Sequence, residues 1–222
     1  MITSYTDTHA RIDEYFRDHT MMHDGPRISI RNTNRVTLAK LLGYLGCTVG
    51  VEIGVEQGAY SKVLCEENPG VHLYGVDPWL AYPTYREHVS QPKLDGFFET
   101  TKARLAKYHW TPIRKFSVEG AKEFDDNSLD FVYIDGAHNF INVVQDLHAW
   151  TPKVRPGGLI TGHDYVLRTG KGPYAEMLHV VQVVNAWTSA FDIDPWYVFS
   201  APCCPQPGEL FDKSRSFMWV KE

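Results

Sequence analysis

Val51-Glu52-Ile53-Gly54-Val55-Glu56-Gln57-Gly58 closes an apolar run with a carboxylate and two glycines, and Val76-Asp77-Pro78-Trp79 follows about one βαβ unit later. A strand feeding a tight turn and then a helix, with an acid closing the next strand, describes a pocket for a nucleotide-type ligand. Gly54 and Gly58 let the backbone approach the ligand and start the helix. Asp77 stands where ribose hydroxyls would sit, and Pro78 and Trp79 continue that edge. The two glutamates shape the choice of ligand. A pyrophosphate at this turn would be repelled by Glu56 by roughly 3 kcal/mol at ~6 Å and an effective dielectric of ~20. Carboxylates suit a cation instead. S-adenosylmethionine offers an adenosine for Asp77 and, in place of phosphates, a sulfonium and an ammonium that Glu52 and Glu56 would attract.

The chain has 222 residues, 43% of them hydrophobic, and a net charge of -5. That size supports one large core with a small appendage. No apolar run has the length of a membrane span, and Met1 to Arg17 mixes acids, arginines and tyrosine without a signal-peptide core, so a cytoplasmic protein is expected. Cys47, Cys65, Cys203 and Cys204 fit neither a disulfide framework nor a zinc spacing. The negative charge and the lack of a basic cluster interleaved with aromatics disfavour nucleic acid as a partner. A small-molecule acceptor is the expected partner, and the sequence leaves room for a homo-oligomer.

After residue 48, strand-like and helix-like runs alternate, the pattern of an α/β fold with a mainly parallel sheet. Strands are expected at Thr48 to Gly54, His72 to Asp77, Ile113 to Ser117, Leu129 to Asp135, Gly158 to His163, Trp196 to Ser200 and Ser216 to Lys221. Helices are expected at Ala59 to Asn68, within Tyr82 to Lys107, at Phe140 to Trp150 and at Tyr174 to Ala190. The last two strands are joined by a Pro-rich loop too short for a crossover, so they should be antiparallel. The expectation is a Rossmann-like three-layer sandwich with a seven-stranded, mostly parallel sheet and an antiparallel last strand. Residues 1–47, with helices around Ile12 to Phe16 and Val36 to Tyr44, are expected to form a helical substrate cap, and residues 48–222 the ligand-binding domain.

In such folds the chemistry gathers at the carboxyl ends of the strands. The fourth strand ends in Asp135-Gly136-Ala137-His138 and the fifth in Gly162-His163-Asp164-Tyr165. If these ends are adjacent, Asp135, His163 and Asp164 would ligate a divalent cation, Mg or Mn; equally, Asp135 would cap the next helix while His163 and Asp164 hydrogen-bond across the strand ends. His138, with a reference pKa of ~6.5, suits a base that takes a proton from a hydroxyl, or is a half-exposed first-turn residue. Ser117-Val118 would meet the adenine or form a plain ST turn. The Gly170-Lys171-Gly172 triplet reads as a surface connection. There is no phosphate loop, no G-x-S-x-G elbow and no H-E-x-x-H helix.

From about Thr48 onward the chain resembles the class I S-adenosylmethionine-dependent methyltransferases. V-E-I-G-V-E-Q-G looks like the first cofactor motif, V-D-P-W like the acidic ribose motif, D-F-V-Y-I-D-G-A-H like the fourth-strand motif, and V-R-P-G-G-L-I-T-G-H-D-Y like the fifth-strand region. The pair D-G-A-H and G-H-D-Y is similar to small-molecule O-methyltransferases acting on sugars and catechols, some of them metal-assisted. The resemblance implies Glu52, Gly54, Glu56, Gly58, Asp77, Pro78, Trp79, Ser117, Val118 and Asp135 around the cofactor, Asp135, His163 and Asp164 around a metal, and His138 and Asp135 in catalysis. The chain departs from the pattern at His163, where an acid is usual. A nicotinamide-dependent oxidoreductase and a non-catalytic cofactor-binding protein are the alternative readings.

Overall fold

The computed structural model describes residues 4–82, 90–167, 178–200 and 214–222. Nine strands are present among them: β1 (Met21–Asp24), β2 (Arg27–Arg31), β3 (Val49–Ile53), β4 (His72–Val76), β5 (Trp110–Ile113), β6 (Leu129–Ile134), β7 (Val154–Gly162), β8 (Trp196–Ser200) and β9 (Ser216–Val220). The helices are α1 (Tyr5–Tyr15), α2 (Arg35–Leu45), α3 (Ala59–Glu67), α4 (Gln91–Leu105), α5 (Ser117–Ala121), α6 (Phe140–Trp150) and α7 (Val180–Ala190). They flank one mixed sheet of order β1-β2-β8-β9-β7-β6-β3-β4-β5.

The sheet is parallel from β7 through β6, β3 and β4 to β5, while β9 runs antiparallel to both of its neighbours. Every residue of the central strand β6 is buried, as expected of a strand covered on both faces. One face is closed by residues of α1, α2 and α3, among them Ile12, Leu38 and Leu64 packing with Leu73 and Tyr133. The other is closed by α6 and α7, with Leu147, Trp150 and Val184 against Val132 and Ile160. Rossmann-like α/β architecture and an antiparallel last strand are as expected. No helix among the described residues is long and apolar enough to cross a membrane.

The strand count is corrected from seven to nine. The two additional strands, β1 and β2, form a hairpin between the two N-terminal helices and extend the sheet past β8, where Arg27 to Arg31 pair in parallel with Trp196 to Ser200. Ile28 and Ile30 enter the core on alternate positions, and Gly25, with φ +59°, makes the turn. The third expected strand also moves. It lies at Trp110–Ile113, paired with Leu73 to Val76, and Pro112 is tolerated because β5 is the edge strand. Ser117 consequently starts a short helix instead of ending a strand. The helix expected from Tyr174 is described from Val180 onward, and Gly170 to Gly172, Cys203 and Cys204 lie outside the described residues.

At the amino edge, Asp130 ties three strands together. Its carboxylate accepts from the backbone N–H of Thr48 and of Val49 at the start of β3, and from Arg155 Nε of β7 at 2.7 Å. Burial alone would raise this carboxyl, but those hydrogen bonds outweigh it and hold the group below the usual carboxylate range. Asp130→Asn should therefore cost about 3 kcal/mol at pH 7 and lower the melting temperature by roughly 6 to 12 °C. The folded-state value is depressed, so the contribution is present above the unfolded value of ~3.9 and fades as pH falls through the folded one. Thermal melts at neutral and acid pH should accordingly show the gap between wild type and variant narrowing below about pH 4; a gap independent of pH would contradict this account.

Candidate active site

The carboxyl ends of β3, β4, β6 and β7 meet at one edge. At β3 the chain turns with positive φ at Gly54 (+82°), Glu56 (+51°) and Gly58 (+70°) before α3 begins. A Cβ at Gly54 would overlap the Asp135 carbonyl oxygen, so only glycine lets the ends of β3 and β6 approach this closely. At Gly58 an added Cβ would stand 2.9 Å from Thr101 of α4. Glu56 adopts a left-handed conformation that costs energy for a side chain, and the surroundings pin it there. Its N–H donates to Asp77 at 3.0 Å, and its carbonyl accepts from Trp79 Nε1 at 2.7 Å and from Thr101 Oγ1 at 3.1 Å.

Asp77 also accepts from the backbone N–H of Trp79 at 2.8 Å, so it binds the turn after β3 to the loop after β4. Pro78 lies between these two residues, and the Trp79 side chain is buried against Phe98. Glu52 is placed differently from its neighbours in the motif. Its side chain is buried and accepts from Ser61 Oγ of α3. Desolvation pushes its carboxyl up to about 8, so at neutral pH it is largely protonated and carries little charge.

Four titratable side chains converge where β6 and β7 end. His138 Nε2 lies 3.3 Å from Asp135 Oδ1 and 3.1 Å from Asp164 Oδ2. His163 Nδ1 is farther from the same two oxygens, at 3.6 and 3.7 Å. Burial works against charge on Asp135, but hydrogen bonds from His138 and His163 overcome it and lower the carboxyl. Desolvation opposes charge on the half-buried Asp164 as well, but His163 and His138 hold it far below the usual range. Burial would lower His138, yet its hydrogen bond and attraction to Asp135, with the charge of Asp164, raise it. One ligand atom each from Asp135, His138 and Asp164 lies within 4.8 Å of the others, a spacing open to a cation. The expected set of Asp135, His163 and Asp164 is brought together as well, with His138 wedged between its two carboxylates.

Three residues absent from the sequence reading belong to this edge. Arg35, first residue of α2, places Nη1 3.6 Å from Asp135 Oδ2. Asp146 of α6 lies under Gly136, where burial raises its carboxyl to about 7 against a hydrogen bond with Ser117. His179 receives the N–H of Phe140, and its own N–H donates to the His138 carbonyl, which braces the His138 loop against α7. Ser117 accepts from Trp150 Nε1 at 2.9 Å, while Val118 next to it is exposed. Asn34, just before Arg35, signals a helix start in the sequence, but nothing local says that the helix points at Asp135.

A family model described as a methyltransferase domain matches residues 51–165, just over half of the chain. A curated relative from Sinorhizobium fredii, "Uncharacterized protein y4gI", is 32% identical over 56 residues, which is 25% of this chain and 6% of that one. Among solved structures, cofactor-bound Rv0187 from MTB is similar with a TM-score of 0.58 and 14% identity, covering 98% of this chain and 89% of that one. Precorrin-6y C5,15-methyltransferase from Geobacter metallireducens aligns with a TM-score of 0.59 and 14% identity over 84% of this chain and 87% of its own. An O-methyltransferase family protein from Burkholderia thailandensis gives 0.55 and 10% identity, and the match covers 84% of this chain but only 55% of that longer one. At such identities the structures speak for the fold. The matched stretch takes in the glycine turn after β3 and the ends of β6 and β7, and the chain belongs to the methyltransferase domain family.

Proposed function

We propose that the protein is an S-adenosylmethionine-dependent methyltransferase acting on a hydroxyl of a small molecule such as a sugar, a natural product or a phenol. The observation that carries this reading is His138, held between Asp135 and Asp164 at the same edge as the glycine turn. Asp77 is assigned to the ribose, Gly54 and Gly58 to close backbone approach, and Ser117 with Val118 to the adenine end. Glu52 would act from below by holding the first turn of α3 through Ser61, and Glu56, Pro78 and Trp79 by fixing the shape of the wall. When bound, the sulfonium would supply an electrophilic methyl whose C–S bond breaks as the new C–O bond forms.

The residues' contribution is position and proton handling. His138 Nε2 would take the proton of the acceptor hydroxyl, and Asp135 and Asp164 would stabilise the imidazolium so formed. The same carboxylates keep the ring oriented. A metal-assisted variant has some support, because Asp135, His138 or His163, and Asp164 form a mixed nitrogen and oxygen donor set that suits Mn better than Mg. A cation there would lower the cost of deprotonating the acceptor. Prolonged EDTA treatment separates the two forms: turnover lost and restored by MnCl2 assigns a metal, and unchanged turnover leaves the proton to His138 alone. Of the segment 1–47, expected as a cap over the acceptor, Arg35 reaches this edge, while its hairpin and helices belong to the sheet and its covering layer. Membership of a methyltransferase family weighs against the nicotinamide alternative.

His138→Ala should lower turnover by at least about 100-fold, read as S-adenosylhomocysteine released over a panel of hydroxylated acceptors, while cofactor affinity stays within about 3-fold. Equal loss in both would contradict the base role. Because the base works as neutral imidazole and its pKa is raised above 6.5, wild-type kcat should climb with pH through that raised value and level off above it. Asp77→Ala should weaken cofactor binding by roughly 10-fold or more in calorimetry, and unchanged affinity would place the ribose elsewhere. Cofactor binding with no methylation of any acceptor would favour the non-catalytic reading.

A further inference from the structure

We infer that Arg35 recognises the carboxylate at the amino-acid end of the cofactor, so that a residue ahead of the matched domain completes the cofactor pocket. The inference rests on the S-adenosylmethionine reading above. That ligand carries a carboxylate as well as two cationic groups, and the edge it would enter is lined by Asp77, Asp135 and Asp164. An anion can settle in such surroundings only beside a compensating cation.

Arg35 meets that need in four ways. First, its guanidinium is only 17% exposed and lies 3.6 Å from Asp135 Oδ2, on the side of that carboxylate away from His138, which engages Oδ1. Proton transfer and anion recognition would thus use opposite oxygens of one residue. Second, Arg35 is rigidly presented. Asn34 and Thr37 form a reciprocal capping box at the start of α2, and the guanidinium stands over the Tyr60 ring at 5.3 Å. Tyr60 in turn donates its hydroxyl to the Arg35 carbonyl at 2.8 Å and packs on Tyr133 with ring centroids 4.4 Å apart.

Third, Tyr60 belongs to the first turn of α3, directly after Gly58, so its ring locks Arg35 to the glycine turn itself. Arg35 therefore borders the point where Gly54 and Asp135 meet, on the β6 side of the glycine turn, and with the ribose on the β4 side at Asp77 and Trp79 the amino-acid end of the cofactor would extend towards it. Fourth, a guanidinium is always charged and presents a planar fork that matches a carboxylate with two parallel N–H donors. Recognition of this kind would discriminate an intact cofactor from one lacking the amino acid.

The test uses two ligands that share the adenosine and the sulfur but differ in the amino-acid end. S-adenosylhomocysteine has it, and 5′-methylthioadenosine does not. Both are titrated calorimetrically into wild type, R35Q and R35K, with unliganded melts recorded for each. The expected result for R35Q is a loss of roughly 10- to 100-fold in affinity for S-adenosylhomocysteine with 5′-methylthioadenosine within about 3-fold of wild type, and a smaller selective loss in R35K. If R35Q does not fold, the same selectivity in R35K decides. Unchanged affinity for S-adenosylhomocysteine, or an equal loss for both ligands, overturns the assignment of Arg35. Failure of the wild type to bind either ligand overturns the cofactor reading itself, and Arg35 with it.

Discussion

A side chain on Gly54 would collide with the carbonyl of Asp135, and the contact that glycine permits there joins the ends of the two central strands. Asp135 N donates to Ile53 O at 2.9 Å and Gly54 N to Val76 O at 2.9 Å, so β3, β4 and β6 finish level with one another. The rest of the edge depends on that alignment. The turn from Gly54 to Gly58 can lean on Asp77 only because β4 ends beside it, and Asp135 reaches His138, His163 and Arg35 only because β6 ends one strand over. A bulkier residue at Gly54 would push β6 away and separate the glycine turn from the acid and imidazole cluster.

The electrostatics of the edge follow from unequal burial of its acids. Glu52, sealed in the core and bonded to a serine hydroxyl, resists ionisation. Asp135 and Asp164 are half-buried, yet two imidazoles face them and ionisation is favoured. Acids that read alike in sequence thus divide into a neutral structural group and charged ones open to chemistry. The imidazoles respond in kind: His138 gains basicity from both carboxylates, and its loop is braced by His179. An imidazole oriented in this way would need little reorganisation on accepting a proton.

Much of this was legible in the residues, and the exceptions have physical causes. Gly54, Gly58, Asp77 and Asp135 could be read because backbone geometry forces particular residue types to particular offsets from a strand end. The hairpin of β1 and β2 carried its own signal, Asp24-Gly25 followed by alternating Ile28 and Ile30, but lay between two stronger helical periodicities. Pro112 hid β5, since proline argues against a strand until the strand is known to be at the edge. Arg35 had no local signature at all: it meets Asp135 across 100 positions of sequence, through the packing of α2 on α3. Which imidazole stands between Asp135 and Asp164 was likewise beyond spacing rules, because it depends on how the chain bends after β6 and β7 finish.

The central claim is that this edge binds S-adenosylmethionine and its product, and the melting temperature of the wild-type protein with S-adenosylhomocysteine, compared with NAD, tests it most directly. At about 100 times its dissociation constant a specific ligand stabilises by ~2.7 kcal/mol, which for a chain of this size is a shift of roughly 5 to 10 °C. The account predicts that shift with S-adenosylhomocysteine and none with NAD. No shift with the homocysteine product, or a shift with NAD in its place, would contradict it.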